Sequence, residues 1–280
     1  MTTISPLGAA ALEGYFQRIG YEGDRTPTLA TLQGIHQRHP QVIAFENLNA
    51  FWGQPVSLDL PALERKLVYG GRGGYCFEQN GLLLAVLTSL GFAVRGLGAR
   101  VLWNLPAGTV TPRSHMVLRV EVEGQAYIAD VGFGGLTLTA PLRLTPGLEQ
   151  ETPHERFRLV EGVEGLGGLV LQAHLGDDWQ PLYQFDLQPQ YPCDYAVSNW
   201  HVSTHPSSLF VNHLIAARVD PHCRYGLRDT EFSTHFLAGQ SERRQLASIE
   251  ELQTILTNVF GLKLPKDADF GRLFSEVPRE

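Results

Sequence analysis

Cys76 stands directly after the run Gly70-Gly71-Arg72-Gly73-Gly74-Tyr75 and opens an apolar stretch, CFEQNGLLLAVLTSLG (76–91). Glycines permit positive φ and close backbone approach, so this loop can turn sharply into a helix. A thiol at a helix N-terminus lies beside unpaired N–H groups and near the positive end of the dipole. Both favour the thiolate, which is the nucleophilic form, and the same N–H groups could stabilise an oxyanion. The competing reading is a buried structural cysteine after a helix-entry loop. Cys193 and Cys223 follow no such loop.

A cysteine nucleophile needs a base, and the base needs a group to orient it. The segments SHMVLRVEV (114–122) and QAYIADVGF (125–133) flank Glu123-Gly124, which reads as a two-residue hairpin turn. That turn pairs Val122 with Gln125 and sets Asp130 opposite Val117, two residues from His115. His115 and Asp130 then share a face as diagonal neighbours, with Cβ atoms roughly 7 Å apart, within reach of an imidazole–carboxylate hydrogen bond. The opposite face carries Met116, Leu118, Val120, Val122, Tyr127, Ala129 and Val131, an apolar stripe suited to a core. A register slip of one residue would separate His115 from Asp130. Asp130 is otherwise out of place in a buried strand, because an unpaired buried carboxylate is costly. The bland alternative is that Asp130 caps a turn and His115 is a satisfied core histidine.

The elements that must hold these residues fall into three textures. The first third is helical. LGAAALEGYFQRIGY (7–21) repeats Leu12, Tyr15, Phe16 and Ile19 on one face. TPTLATLQGIHQRHP (26–40) opens on Thr-Pro and is expected to end against Pro40, and the helix from Cys76 to end at Gly91. Period-two patterns follow in FAVRGLGARVLWN (92–104), the hairpin, RFRLVEGV (156–163) and Trp179 to Asp186. From about Asn199 the texture mixes loops, short strands and one helix, SIEELQTILTNVFG (248–261). This pattern predicts an α+β protein of three packed parts.

Composition excludes several classes. The 280 residues are 43% hydrophobic and 18% charged, enough for an ordinary globular core and unlike a disordered chain. The formal charge of −7 and a pI near 5.8 argue against a general nucleic-acid binder or a polybasic membrane surface. No apolar run reaches the roughly 18 residues of a membrane helix. MTTISPLGAAALEGYF lacks the pattern of a secretory leader, and three sparse cysteines suit a reducing setting, so a cytoplasmic location is expected. No C-x-x-C occurs, and His36 and His39 lack a third partner in sequence, so no metal site is expected. No G-x-G-x-x-G sits in a βαβ unit, so no dinucleotide fold is expected.

At these residues the chain resembles the arylamine N-acetyltransferases. The family's Arg-Gly-Gly-x-Cys hallmark is matched by Arg72-Gly73-Gly74-Tyr75-Cys76, and its Cys–His–Asp triad falls on Cys76, His115 and Asp130. YFQRIGY (15–21), AFENLN (44–49, with Ala44 where proline is usual), DVGFGG (130–135), NWHVSTHPSSLF (199–210) and ELQTILTNVFGLKLP (251–265) also match. The resemblance implies an N-terminal helical bundle (1–90), a central β-barrel (91–199) and a C-terminal α/β lid (200–280) around a papain-like catalytic core. It implies acetyl-CoA as co-substrate and arylamines or arylhydrazines as acceptors. It also implies that Glu46 and Asn49 hold Arg72 as structural support, and that Ser114, Gly132 and Gly134 lie at the CoA site. Ser114 stands where family members often have threonine. The acyl and acceptor pocket would be lined by Phe45, Val101, Phe133 and Phe210. Without the resemblance, Phe133 and Phe210 read as core and Gly132-Phe133-Gly134 as a strand-end turn.

Rival readings use the same triad. One is an amide synthase or longer-chain acyltransferase on this scaffold. Another is a Cys-His-Asp hydrolase releasing product to water, and the third is a binding module without catalysis.

Overall fold

The computed structural model describes residues 6–162 and 167–275, so the first five residues of the leader reading and Val163 of the RFRLVEGV strand lie outside the described residues. Helix α1 (Ala9–Ile19) buries Tyr15, Phe16 and Ile19 and ends at Gly20, whose φ of 64° closes the helix. Helix α2 (Leu29–Val42) is capped by the Thr28 side chain, which accepts from the Thr31 N–H. It does not stop against Pro40: the proline lies inside it and the chain stays helical to Val42. Proline removes an N–H and crowds the carbonyl four residues back, so the helix ends soon after it. Strand β1 (Phe45–Glu46) and the one-turn helices α3 (Leu48–Phe51) and α4 (Leu60–Leu63) follow, then a π-helical segment, Glu64–Tyr69. The glycine loop leads into helix α5 (Cys76–Ser89), which is buried along most of its length.

Eight antiparallel strands make the second layer: β2 (Ala93–Val101), β3 (His115–Val122), β4 (Gln125–Ala129), β5 (Leu142–Arg143), β6 (Glu149–Glu151), β7 (Arg156–Glu161), β8 (Leu169–Leu175) and β9 (Asp178–Pro189). Their order is β5-β4-β3-β2-β9-β8-β7-β6. The two end strands are joined through the Gln150 side chain, which accepts from the Arg143 N–H at 2.7 Å and donates to the Arg143 carbonyl at 3.0 Å, so the sheet nearly closes into a barrel. The β3–β4 turn is Glu123-Gly124, with φ of 53° and 73°, and the pairing runs from Val122↔Gln125 to Leu118↔Ala129. Met116, Leu118, Val120, Val122, Tyr127, Ala129 and Val131 pack with the first core, which includes α5, while Val117 and Ile128 enter the barrel core. Each large side chain so buried contributes roughly 1.5–3 kcal/mol. A slipped register would exchange the two sets, and this fixes the faces of β3.

The last part contains helices α6 (Pro192–Thr204), α7 (Leu209–Asn212), α8 (Ile249–Asn258) and α9 (Gly271–Phe274), and strands β10 (Ile215–Asp220), β11 (Cys223–Arg228), β12 (Glu231–Phe236) and β13 (Ser241–Gln245). It holds more helix than the single one expected there. β1 joins this second sheet as its edge, with Phe45 opposite Ala217 and Glu46 opposite Ala216. Ala44, Leu48 and Phe51 lie in one core with Leu214, Leu252, Leu256 and Phe260, so residues from the first third are built into the C-terminal layer. No helix among the described residues is long and apolar enough to cross a membrane.

Candidate active site

Cys76 is the first residue of α5 and is 3% exposed. Three glycines allow its surroundings to close. A Cβ on Gly73 would lie 1.9 Å from the Ala44 carbonyl oxygen, and one on Gly74 would lie 2.6 Å from Glu78 Oε2. A Cβ on Gly132, in the loop after β4, would lie 2.8 Å from the Cys76 Cα. Such approaches are shorter than van der Waals contact, so the loop before Cys76 and the barrel loop can meet only as glycines.

The thiol donates to the Ser114 carbonyl at 3.6 Å, which sets it beside the first residue of β3. There His115 Nε2 lies 2.8 Å from Asp130 Oδ2, and both side chains are buried. Nε2 is committed to Asp130, which leaves Nδ1 as the ring nitrogen available to the thiol. Burial alone would lower the His115 pKa; the Asp130 charge and hydrogen bond, together with the thiol, reverse this and raise it to about 10. Burial would likewise raise Asp130, but the charge and hydrogen bond of His115, with donors from Asn80 and the Gly132 N–H, hold it below the ordinary carboxylate value. Asn80 Nδ2 bonds Asp130 Oδ1 at 2.8 Å and the Met116 carbonyl at 2.7 Å, while its Oδ1 accepts from the Val131 N–H at 3.0 Å. One amide from α5 thus pins both strands of the hairpin.

Helix α2 reaches the same point. His36 Nε2 accepts the Asp130 backbone N–H at 3.0 Å, and burial lowers the His36 pKa to about 3, so the ring stays neutral. His39 bridges the Tyr15 hydroxyl at 2.8 Å and Gln79 Oε1 at 2.6 Å; burial lowers its pKa to about 4. Both histidines considered in sequence as metal ligands therefore make buried hydrogen bonds.

Arg72 Nε donates to Glu46 Oε1 at 2.9 Å, and its NH2 donates to Asn49 Oδ1 at 2.9 Å. Glu46 is fully buried, and its other oxygen accepts the Leu48 N–H at 2.7 Å. Glu78 lies on the other side of the loop. Its Oε2 accepts the Tyr75 N–H at 3.1 Å and its Oε1 accepts from Lys66 Nζ at 2.6 Å.

Aromatic rings pack around His115. Phe133 stands edge-on to the His115 ring at 5.2 Å, and Tyr183 lies against it at 4.8 Å. The Tyr183 hydroxyl feels the Asp130 charge yet has no hydrogen-bond partner of good geometry among the described residues. Phe210 contacts Phe45 at 5.9 Å and Tyr75 at 5.4 Å, and Gly134 faces the Phe45 ring. Val101 ends β2, paired with Tyr183 on β9. The Gly132 N–H is spent on Asp130 Oδ1 at 2.9 Å, and the Ser114 carbonyl on the thiol.

Sequence reasoning did not single out Lys66, Glu78, Gln79, Asn80, Tyr183 or Asn199, which accepts from the Tyr75 hydroxyl, and it weighed His36 only as a metal ligand. One signal was present. Glu78, Gln79 and Asn80 form a polar run at the start of a helix otherwise apolar enough to be buried, and buried polar groups need partners.

The model of a family described as N-acetyltransferase matches residues 28–269. An arylamine N-acetyltransferase of Mycobacterium tuberculosis is 42% identical over 273 residues, covering 96% of this chain and 95% of that protein. One from Escherichia coli is 41% identical over 268 residues, covering 95% and 93%. The solved structure of Mycobacterium marinum arylamine N-acetyltransferase in complex with CoA superposes with a TM-score of 0.88 at 42% identity, covering 94% of this chain and 96% of that one.

Proposed function

This chain belongs to the arylamine N-acetyltransferase family, an enzyme family of acetyl transfer to arylamines, and from that premise we propose a two-step transfer through an acetyl-cysteine at Cys76. Acetyl-CoA is the donor, as the CoA complex of the M. marinum relative supports. Before the first step the Cys76 thiol proton passes to His115 Nδ1, giving a thiolate–imidazolium pair; Cys76 Sγ then attacks the thioester carbonyl and the carbon–sulfur bond to CoA breaks. The CoA sulfur leaves with the proton from His115 Nδ1. In the second step the arylamine nitrogen attacks the acetyl-Cys76 carbonyl and passes its proton to His115. The Cys76 thiolate leaves, restoring the starting charges. Asp130 holds the imidazole by Nε2 and stabilises its charged form. The observation that carries this reading is the 2.8 Å contact between His115 and Asp130, with the thiol set beside it on the Ser114 carbonyl.

Phe45, Val101, Phe133 and Phe210 would line the acyl and acceptor pocket, and Ser114, Gly132 and Gly134 would face the arriving CoA. Arg72, Glu46 and Asn49 would brace the nucleophile loop. The division of labour would follow the chain, with the nucleophile from 1–90, base and acid from 91–199, and a lid from 200–280 acting in the cytoplasm. Initial-rate kinetics test the order of events. Parallel double-reciprocal lines against acetyl-CoA at several arylamine concentrations are expected; intersecting lines would refute a free acetyl-enzyme.

A further inference from the structure

The Arg72–Glu46–Asn49 brace covers only one side of the nucleophile loop. On the other side lies a second ion pair, between the half-buried Lys66 and the buried Glu78. Glu78, two residues after Cys76, is 1% exposed, and its Oε2 packs so closely on Gly74 that a Cβ there would be 2.6 Å away. The same oxygen accepts the N–H of Tyr75, the residue preceding the nucleophile. Lys66, in the π-helical segment Glu64–Tyr69, meets this carboxylate at 2.6 Å and stands 4.0 Å from Glu46 Oε1. The Lys66 carbonyl accepts the Arg72 N–H at 3.2 Å, so one residue grips the loop on both sides of its glycines.

We propose that Lys66 is a positioning residue for the nucleophile, acting through Glu78. Its ammonium holds the carboxylate on the Tyr75 N–H and cancels a negative charge that would otherwise oppose a thiolate at Cys76. This rests on reading Cys76 as the nucleophile. A carboxylate in the first turn favours the helix, but it draws on the same N–H groups and dipole that would favour a thiolate at Cys76. Burial and the neighbouring Glu46 both raise the Glu78 pKa, and Lys66 opposes them. Among the described residues, the charged groups acting on Glu78 are Lys66 and Glu46, with the Tyr75 N–H donating to it, and the Tyr75 hydroxyl in turn feels both Glu78 and Cys76. Arg65 and Arg72 also line the cleft of about 320 Å³ beside it. Arg72 is already committed to Glu46 and Asn49, which leaves Lys66 to neutralise Glu78.

The test follows the rate of Cys76 alkylation by iodoacetamide against pH, by peptide mapping, beside the rate of acetylation by acetyl-CoA. Lys66→Met is expected to acetylate at least tenfold more slowly than the wild type at pH 7 and to be alkylated at Cys76 several-fold more slowly across pH 6 to 8. Lys66→Arg should restore both to within about threefold. Lys66→Met/Glu78→Gln should regain most of the loss, because no uncompensated charge remains and the amide oxygen still accepts from Tyr75. Should Lys66→Met fail to fold, Lys66→Gln removes the charge while keeping a donor. Wild-type rates and a wild-type profile in the charge-removing variant would overturn the proposal, as would a double variant no faster than Lys66→Met. Failure of the wild type to take up acetyl would instead refute the acetyl-cysteine reading, and the alkylation arm would still decide the role of Lys66.

Discussion

His115 Nε2 and Asp130 Oδ2 meet at 2.8 Å across a hairpin, from positions that are diagonal rather than directly opposite. The Asp130 carboxylate accepts from Asn80 and the Gly132 N–H as well as from His115, so two further donors orient it toward the imidazole. Asp130→Asn should lower kcat by about 10⁴, because an amide can favour the wrong imidazole tautomer. It also turns an NH2 group toward the existing donors, at a cost of about 1–3 kcal/mol in stability. Circular dichroism separates the effects: a folded variant within tenfold of wild-type kcat would contradict the assignment.

Gly132→Ala tests the contact between the barrel loop and the start of α5 at Cys76. Its Cβ would lie 2.8 Å from the Cys76 Cα, whereas a Cβ on Gly135 would meet nothing within 4 Å. Gly132→Ala should lower kcat at least tenfold and Gly135→Ala should not. Equal effects of the two would show that the close approach has no functional weight.

Arg72→Gln should destabilise the protein by about 3–5 kcal/mol, because among the described residues it leaves the fully buried Glu46 with only Lys66, at 4.0 Å, as a nearby cation. Denaturant unfolding measures this. A variant that melts like the wild type would remove Arg72 from the brace.

Stability against acid should depend on His36 and His39. Their folded pKa values, about 3 and about 4, lie below the unfolded value near 6.5, so below pH 6.5 the unfolded chain binds the extra protons and stability falls. Each contributes a slope of about 1.4 kcal/mol per pH unit until the folded ring itself takes up its proton. His115 has the opposite sign: its contribution is complete below pH 6.5 and is lost as pH rises toward 10. Unfolding free energies between pH 4.5 and 6 should therefore flatten in His36→Asn by about one such slope. An unchanged slope would contradict the buried neutral state.

The hairpin register was legible because a two-residue turn with Gly124 fixes the pairing and an apolar stripe on one face forbids a slip. The start of α5 was legible from its glycine loop. The end of α2 was not, because Pro40 was read as a stop and the helix continues a further half turn. Helix α6 was missed: it is amphipathic only weakly and exposes Val197 and Trp200 to solvent, which hides its inner face. The supports of the triad were missed for a different reason. His36 lies 94 residues from Asp130 and Lys66 lies 12 from Glu78, and such pairings depend on tertiary approach, which periodicity does not report.

The most direct test of the account is mass spectrometry of the intact enzyme mixed with acetyl-CoA alone. One acetyl mass is expected, mapped to the peptide containing Cys76, absent in Cys76→Ser and retained in Cys193→Ser and Cys223→Ser. An adduct that survives Cys76→Ser, or its complete absence in an active wild-type enzyme, would contradict transfer through Cys76.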